Sequence, residues 1–139
     1  MMTPEQIFLV QQSWEKVLPI SQTAGELFYD RLTELVPQLE NLIDSDHVEQ
    51  IKKLMTSFNL VINSLNDPDM LKPVLELLGQ RHVGYGVIET DYSAASDAFC
   101  WALKHSLGKD FTDEVQAAWL EVFHFLSDNM DTSKHNYIN

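Results

Sequence analysis

The side chains of this 139-residue sequence that could most readily bind a metal ion are its five histidines. No two of them lie four residues apart, and no HExxH motif occurs, so a helical zinc site is not indicated. His82 differs from the others because it lies four residues after Leu78, at the end of an apolar helical face, just before Gly84 and Gly86. From this pattern alone, a core or surface histidine is favoured over a ligand, and all three alternatives stay open.

Nucleophilic catalysis has little support in the sequence. The one cysteine, Cys100, lies in a predicted helix between Phe99 and Trp101 with no base beside it, and we expect a small buried core residue. A single cysteine also excludes an internal disulfide framework, and no GxSxG, P-loop or GxGxxG motif is present. The other four histidines are predicted to lie at the surface (His47, His105, His135) or at the edge of the core (His124).

The composition predicts one acidic, soluble, mostly helical domain. Apolar residues make up 45% of the chain, while five glycines and five prolines are too few for the turns of an all-β fold. Twenty-one acidic residues against nine basic ones give a net charge of −12, which argues against a nucleic-acid partner. Because no apolar run approaches ~18 residues and no leader pattern is present, we expect no membrane partner and a cytoplasmic location.

Caps and apolar periodicity divide the chain into helices. Thr3, followed by Pro4 and by Gln6, has the pattern of a capping box, and Pro19 is predicted to end the first helix. We expect the remaining elements to be a helix over 23–35, a short turn and connector over 39–46, helices over 46–65, 69–82 and 90–107, and a last helix from the Thr112 cap to about Met130, with a frayed tail over 131–139. Nothing indicates a linker, so residues 1–139 are predicted to form a single domain.

The predicted helix over 46–65 carries two inward stripes. The first is apolar and consists of Val48, Ile51, Met55, Phe58, Ile62 and Leu65. The second is mixed and consists of Gln50, Leu54, Ser57 and Val61. A helix with two such stripes is expected to contact the core and something else beside it.

The order of these features resembles the globin family, in particular single-domain bacterial haemoglobins and the globin domains of flavohaemoglobins. The most specific stretches are GQRHVGYGV, which contains His82, and GKDFTDEVQAAW, which opens the last helix. Three further features follow the same order. Tyr29 lies in the second helix, Gln50 lies near the start of the helix over 46–65, which we call the distal helix, and the TDY motif ends at Tyr92. The resemblance runs from Thr3 to about Met130, and it implies an all-α globin fold, a three-over-three helical sandwich around haem b (iron protoporphyrin IX).

The resemblance also implies roles for individual residues. His82 matches the proximal histidine that binds the haem iron, while Tyr29 and Gln50 match the distal pair of this branch. Leu54 matches the apolar residue over the iron, and Tyr92 matches a tyrosine that packs near the proximal histidine. The positions that match the porphyrin wall are Phe28, Leu78, Val87, Ala95, Phe99 and Phe123.

The sequence departs from the family pattern at two places. Ile43 stands where the family has a phenylalanine stacked on the haem, so aromatic stacking is lost while apolar cover is kept. Lys134 aligns with a glutamate that, in flavohaemoglobin-like relatives, completes a proximal His–Tyr–Glu network, with Asp131 as a partial substitute. A weaker electron donation by the proximal histidine follows, which disfavours peroxidase-like chemistry.

The function that the resemblance implies is reversible binding of dioxygen, and of NO and CO, by a bacterial haemoglobin, with oxygen transport as the familiar role. An alternative is NO dioxygenation served by an external reductase, because no flavin or NAD-binding domain follows within the 139 residues. A haem-based sensor and a globin fold that has lost its haem are further alternatives. His47, three residues before Gln50, could also reach the sixth iron site, and the chain is expected to be a monomer or a homodimer.

Overall fold

The computed structural model describes residues 2–42, 47–84 and 89–130, apart from the side chains of 42, 81–84 and 89–91. These residues form six α-helices: α1 (Pro4–Val17), α2 (Ser21–Leu35), α3 (Val48–Asn63), α4 (Pro68–Gly84), α5 (Glu89–Leu107) and α6 (Asp113–Met130). Short 3-10 turns cover Leu18–Ile20, Pro37–Leu42 and Gly108–Asp110. Within these ranges there is no strand, so the prediction of an all-α chain is confirmed.

The predicted helix starts depend on side-chain caps that the structure contains. The Thr3 hydroxyl accepts from the Gln6 N–H, and the Gln6 side chain accepts from the Thr3 N–H, which completes the capping box of α1. The Thr112 hydroxyl accepts from the Val115 N–H at the start of α6. After α5, Gly108 has a φ of +57°, a left-handed conformation that favours glycine. α1 ends at Val17, just before Pro19, as predicted; Pro19 is the second residue of the 3-10 turn Leu18–Ile20, and α2 starts at Ser21.

α3 and α4 pack against different helices, although they follow each other in the chain. α3 packs against α2 and α1, whereas α4 packs against α6. The α2–α5 and α1–α6 pairs complete the core. Its largest fully buried side chains include Trp14, Trp119, Ile51, Ile62, Leu65, Leu75 and Leu103.

Some apolar positions that were predicted to face inward are exposed. On α4, Leu71 and Leu75 are buried, but Val74 is 42% exposed because one residue along a helix rotates the side chain by about 100°. Val48 and Ser57 on α3 are also exposed, so each predicted stripe of that helix loses one member. Pro73 is the sixth residue of α4, beyond its first turn, and the helix continues through it.

One hydrogen bond in the core lends itself to a stability test. The Trp119 indole N–H donates to the Ser13 hydroxyl at 2.8 Å, and that hydroxyl donates to the Val10 carbonyl on its own helix. Ser13→Ala leaves a buried indole N–H without its acceptor, so the free energy of unfolding should fall by about 1–3 kcal/mol. Denaturant unfolding measures this change, and Ser64→Ala is the control, because its hydroxyl bonds only to the Leu60 carbonyl. Equal stability of the two variants would contradict the assignment.

Cys100 is buried in α5, as predicted. Burial and the neighbouring Asp97 carboxylate together raise the pKa of its thiol to about 11. At pH 8 the folded protein should therefore react with a thiol reagent on the order of 100-fold more slowly than a free cysteine does. The unfolded chain in guanidinium is the control and should react at the ordinary rate. Reaction of the folded chain at that same rate would contradict the burial of the thiol.

No helix in the described part of the chain is both long and apolar enough to cross a bilayer.

Candidate functional site

The site begins where α2 and α3 approach each other most closely. Gly25 on α2 is buried against Ile51 on α3, and a Cβ at Gly25 would overlap the Ile51 Cγ2 atom and lie 3.4 Å from its Cβ. A glycine therefore lets the two helices come together at this point. Tyr29 lies one turn after Gly25, while Gln50 and Leu54 flank Ile51 on α3. The close approach thus holds the three predicted distal residues on adjacent parts of two packed helices.

Tyr29 is half-buried on α2, and its ring lies 5.3 Å from the ring of Phe28. Burial raises the pKa of the Tyr29 phenol above its ordinary value of 10.0, because a phenolate would be poorly solvated there. The phenol is consequently neutral across the physiological range, and its O–H is a hydrogen-bond donor. This is the chemical form that the predicted distal role requires.

Gln50 and Leu54 share one side of α3 and are both half-buried. Gln50 is the third residue of α3, and its amide can donate as well as accept. His47 is the N-cap residue of α3, makes no side-chain capping bond, and is half-buried, so it is less exposed than predicted. Two polar side chains of different chemistry, Gln50 and His47, therefore lie near the start of the distal helix.

A cluster of phenylalanine rings forms an interior wall next to Tyr29. Phe99 on α5 lies at its centre, with ring centroids 4.4 Å from Phe58, 5.3 Å from Phe28 and 5.4 Å from Phe123. Three of these four positions were predicted as wall residues, and Phe58 was not. Its position in the apolar stripe of α3, one turn after Leu54, is the sequence feature that could have identified it.

The proximal side is built by α4 and α5. Leu78 is half-buried on α4, and His82 lies one turn further along the same helix, where the structure describes its backbone and not its side chain. On α5, Tyr92, predicted to pack near the proximal histidine, and Ala95, predicted as a wall residue, are both half-buried. The predicted positions Ile43, Val87, Asp131 and Lys134 lie outside the described residues, as does His135.

A cavity of about 520 Å³ opens between α5 and α6, next to the predicted walls. Tyr92 and Phe123 line it together with Asp97 and His124. His124 is exposed there, so the prediction of a core-edge histidine is wrong. His105 is exposed, as predicted, and its Nδ1 lies 2.9 Å from the Trp101 carbonyl oxygen.

The described side chains can be tested for their fit to a haem, a flat and largely apolar macrocycle. Tyr29, Leu54, Phe58, Leu78 and Ala95 each touch the buried core and remain accessible on another side, so they can cover such a group. The part of the chain with described side chains holds no cluster of three or more histidine, cysteine, aspartate or glutamate residues for a metal ion. The residues predicted as walls and as distal donors therefore fit a haem, and their roles, like the assignment of His82 as its ligand, stay predictions.

Comparison with known proteins identifies relatives of this chain. The neuroglobin of Tetraodon nigroviridis is 25% identical over 129 residues, an alignment that covers 83% of this chain and 81% of the relative. A flavohemoprotein of Xylella fastidiosa is 29% identical over 128 residues, which cover 90% of this chain. The chain spans only 32% of that flavohemoprotein's length.

Among solved structures, an engineered carbene transferase made from a proposed nitric oxide dioxygenase of Rhodothermus marinus has the same fold. The TM-score is 0.83 at 22% identity, over 99% of this chain and 96% of the other. The sequence profile of the family described as Globin matches residues 35–130. With the six packed helices described above, this match establishes that the chain belongs to the globin family, as its sequence predicts.

Proposed function

We propose that this chain binds haem b through His82 and uses it to bind dioxygen reversibly, with NO and CO as further ligands. The observation that carries the proposal is the neutral, half-buried phenol of Tyr29, held beside the Phe28 ring, which in turn contacts Phe99. Membership of the globin family supports haem binding as such. The family relationship and the distal donor together favour a gas-binding site over a haem-free scaffold.

When bound, the haem supplies a ferrous iron that donates electron density to a diatomic ligand. The Tyr29 hydroxyl and the Gln50 amide can each donate a hydrogen bond to a ligand that carries partial negative charge. A single neutral hydrogen bond contributes about 0.5–1.5 kcal/mol, and more is expected where the acceptor carries charge. The apolar surroundings, including Leu54 and the phenylalanine wall, exclude water and strengthen both bonds. Slow release of dioxygen is the expected result.

At two positions the sequence departs from the family pattern in ways that affect the expected haem chemistry. Lys134 in place of a proximal carboxylate would leave the His82 ring without a strong acceptor, which favours reversible binding over peroxidase-like chemistry. Ile43 would cover the haem without stacking on it, so haem orientation is expected to be less uniform than in relatives that have a phenylalanine there. A bacterial, cytoplasmic setting for the protein is part of the same proposal.

NO dioxygenation is the second candidate function. It is favoured by the similarity to a flavohemoprotein and by the fold shared with a structure derived from a proposed nitric oxide dioxygenase. The same distal residues would serve it, because the reaction also begins with binding of dioxygen. Repeated turnover needs electrons, and an external reductase is the partner that would supply them.

The experiment that tests the proposed function is a cycle of oxygenation and deoxygenation. Haem-loaded protein is reduced, equilibrated with air and then flushed with argon while the absorption spectrum is recorded. Return of the ferrous spectrum over several cycles is expected, whereas complete conversion to ferric protein on the first exposure would contradict reversible binding. In a second vessel, NO, NADH and a flavin reductase are added. Sustained nitrate formation that depends on the reductase would favour the dioxygenase, and one nitrate per haem would favour the binding protein.

A further inference from the structure

Gly79 packs α4 against the end of α6. This residue is buried, and a Cβ placed on it would overlap the carbonyl oxygen of Met130 and lie 2.6 Å from the carbonyl carbon of that residue and 2.8 Å from its Cα. The obstacle is therefore the main chain in the last turn of α6, not the end of a flexible side chain. Even one added methyl group at Gly79 would force the two helices apart.

The other buried helical glycine of the described chain provides a contrast. The three atoms nearest to a Cβ at Gly25 belong to the Ile51 side chain, whereas those nearest to a Cβ at Gly79 are main-chain atoms of Met130. A side-chain rotamer change therefore cannot relieve the contact at Gly79. The backbone must move instead, in α4, in the last turn of α6 or in both.

We propose that Gly79 is a positioning residue for the haem ligand, through the contact between α4 and the end of α6. This inference rests on the proposed function, in which His82 binds the iron. His82 lies three residues after Gly79 on the same helix, so a displacement of α4 at Gly79 moves the backbone that carries the ligand. The packing of α4 against α6 thus sets where the histidine stands relative to the distal side.

The position of a metal ligand affects bond strength as well as retention of the cofactor. Groups that orient a ligand without touching the metal commonly change metal affinity by about 10- to 100-fold. Gly79→Ala should therefore weaken the iron–histidine bond and speed haem loss by roughly tenfold or more. A glycine that served only stability would lower the free energy of unfolding and leave the iron–histidine bond unchanged once haem is bound.

The test compares the wild-type chain, Gly79→Ala, Gln80→Ala as the matched control at an exposed position of the same helix, and His82→Ala. For each protein, haem transfer to an excess of an apo-globin acceptor gives the rate of haem loss, and urea unfolding of the haem-free chain gives its stability. Resonance Raman of the ferrous form gives the iron–histidine stretching frequency, which a purely structural change would not move. We expect this frequency to be shifted in Gly79→Ala and to match the wild type in Gln80→Ala.

The double variant Gly79→Ala with Met130→Gly serves as a rescue. Glycine at the end of α6 frees the last turn to unwind, so that the carbonyl can move aside and α4 can return. Partial recovery of the wild-type frequency and haem-loss rate is expected. An unchanged frequency in Gly79→Ala, or failure of both Gly79 variants to fold, would overturn the positioning role. If the wild type itself takes up no haem, or His82→Ala keeps the wild-type frequency, the proposed function fails and not merely this inference.

Discussion

Replacing His82 by alanine is expected to abolish stable haem binding. Partners that only orient a metal ligand already change affinity by about 10- to 100-fold, so loss of the ligand itself should speed haem loss by roughly 100-fold or more. The measurement is haem content after gel filtration, together with the rate of haem transfer to an acceptor protein. Because the other described walls are apolar, some haem can still enter the pocket weakly, and the loss should appear mainly in its retention.

Two controls make the His82 experiment specific. His105→Ala removes an exposed histidine from α5, far along the helix from the predicted walls, and should keep the haem content of the wild type. Added imidazole should restore part of the haem binding of His82→Ala, since it supplies the missing nitrogen ligand to an otherwise intact pocket. An unchanged haem content in His82→Ala would exclude this residue as the proximal ligand.

Replacing Tyr29 by phenylalanine should give the second large effect, a faster release of dioxygen. The substitution keeps the ring that packs against Phe28 and removes only the hydroxyl. A hydrogen bond to a group with charge contributes about 1.5–3 kcal/mol, which corresponds to a dissociation rate about 10- to 100-fold higher. Stopped-flow displacement of dioxygen by CO measures that rate.

Carbon monoxide and pH provide the controls for Tyr29. CO accepts less electron density than dioxygen does, so its dissociation rate should change much less in Tyr29→Phe. Since burial raises the pKa of the phenol above 10.0, its donor form is lost only as the pH rises through that higher pKa. The wild-type rate of dioxygen release should therefore stay constant between pH 6 and about pH 9. An equal rate of dioxygen release in the wild type and in Tyr29→Phe would rule out Tyr29 as a distal donor.

The sequence predicts the helices well where local chemistry decides. The Thr3 capping box and the Thr112 cap are both present, because caps depend on side chains within three residues of each other. Val48 and Val74 were assigned to the wrong side, since an apolar residue at the edge of a stripe can be buried or exposed according to which helix packs there. His124 illustrates the same limit, because its two phenylalanine neighbours in sequence lie on other sides of α6.

The site was predicted through resemblance to a family rather than through local pattern. His82 ends an apolar face, which also suits a core histidine, so only the order of several motifs pointed to a ligand. The roles of Gly25 and Gly79 could not be predicted, because a glycine at a helix crossing is identical in sequence to one that merely ends a helix. Phe58 was likewise treated as a general core residue. The rings that surround it, Trp14, Phe99 and Phe123, come from three other helices, so local sequence does not reveal the cluster.

The central claim, a haem held by His82 with an accessible sixth site, is tested most directly by an absorption spectrum. Purified protein is titrated with haem, then recorded in the ferric, ferrous and ferrous–CO forms. We predict an intense Soret band that saturates at one haem per chain and shifts on addition of CO, with visible bands of the ferrous form that report whether His47, Gln50 or Tyr29 occupies the sixth site at rest. Absence of stoichiometric haem uptake would contradict the account and leave a globin fold without its cofactor.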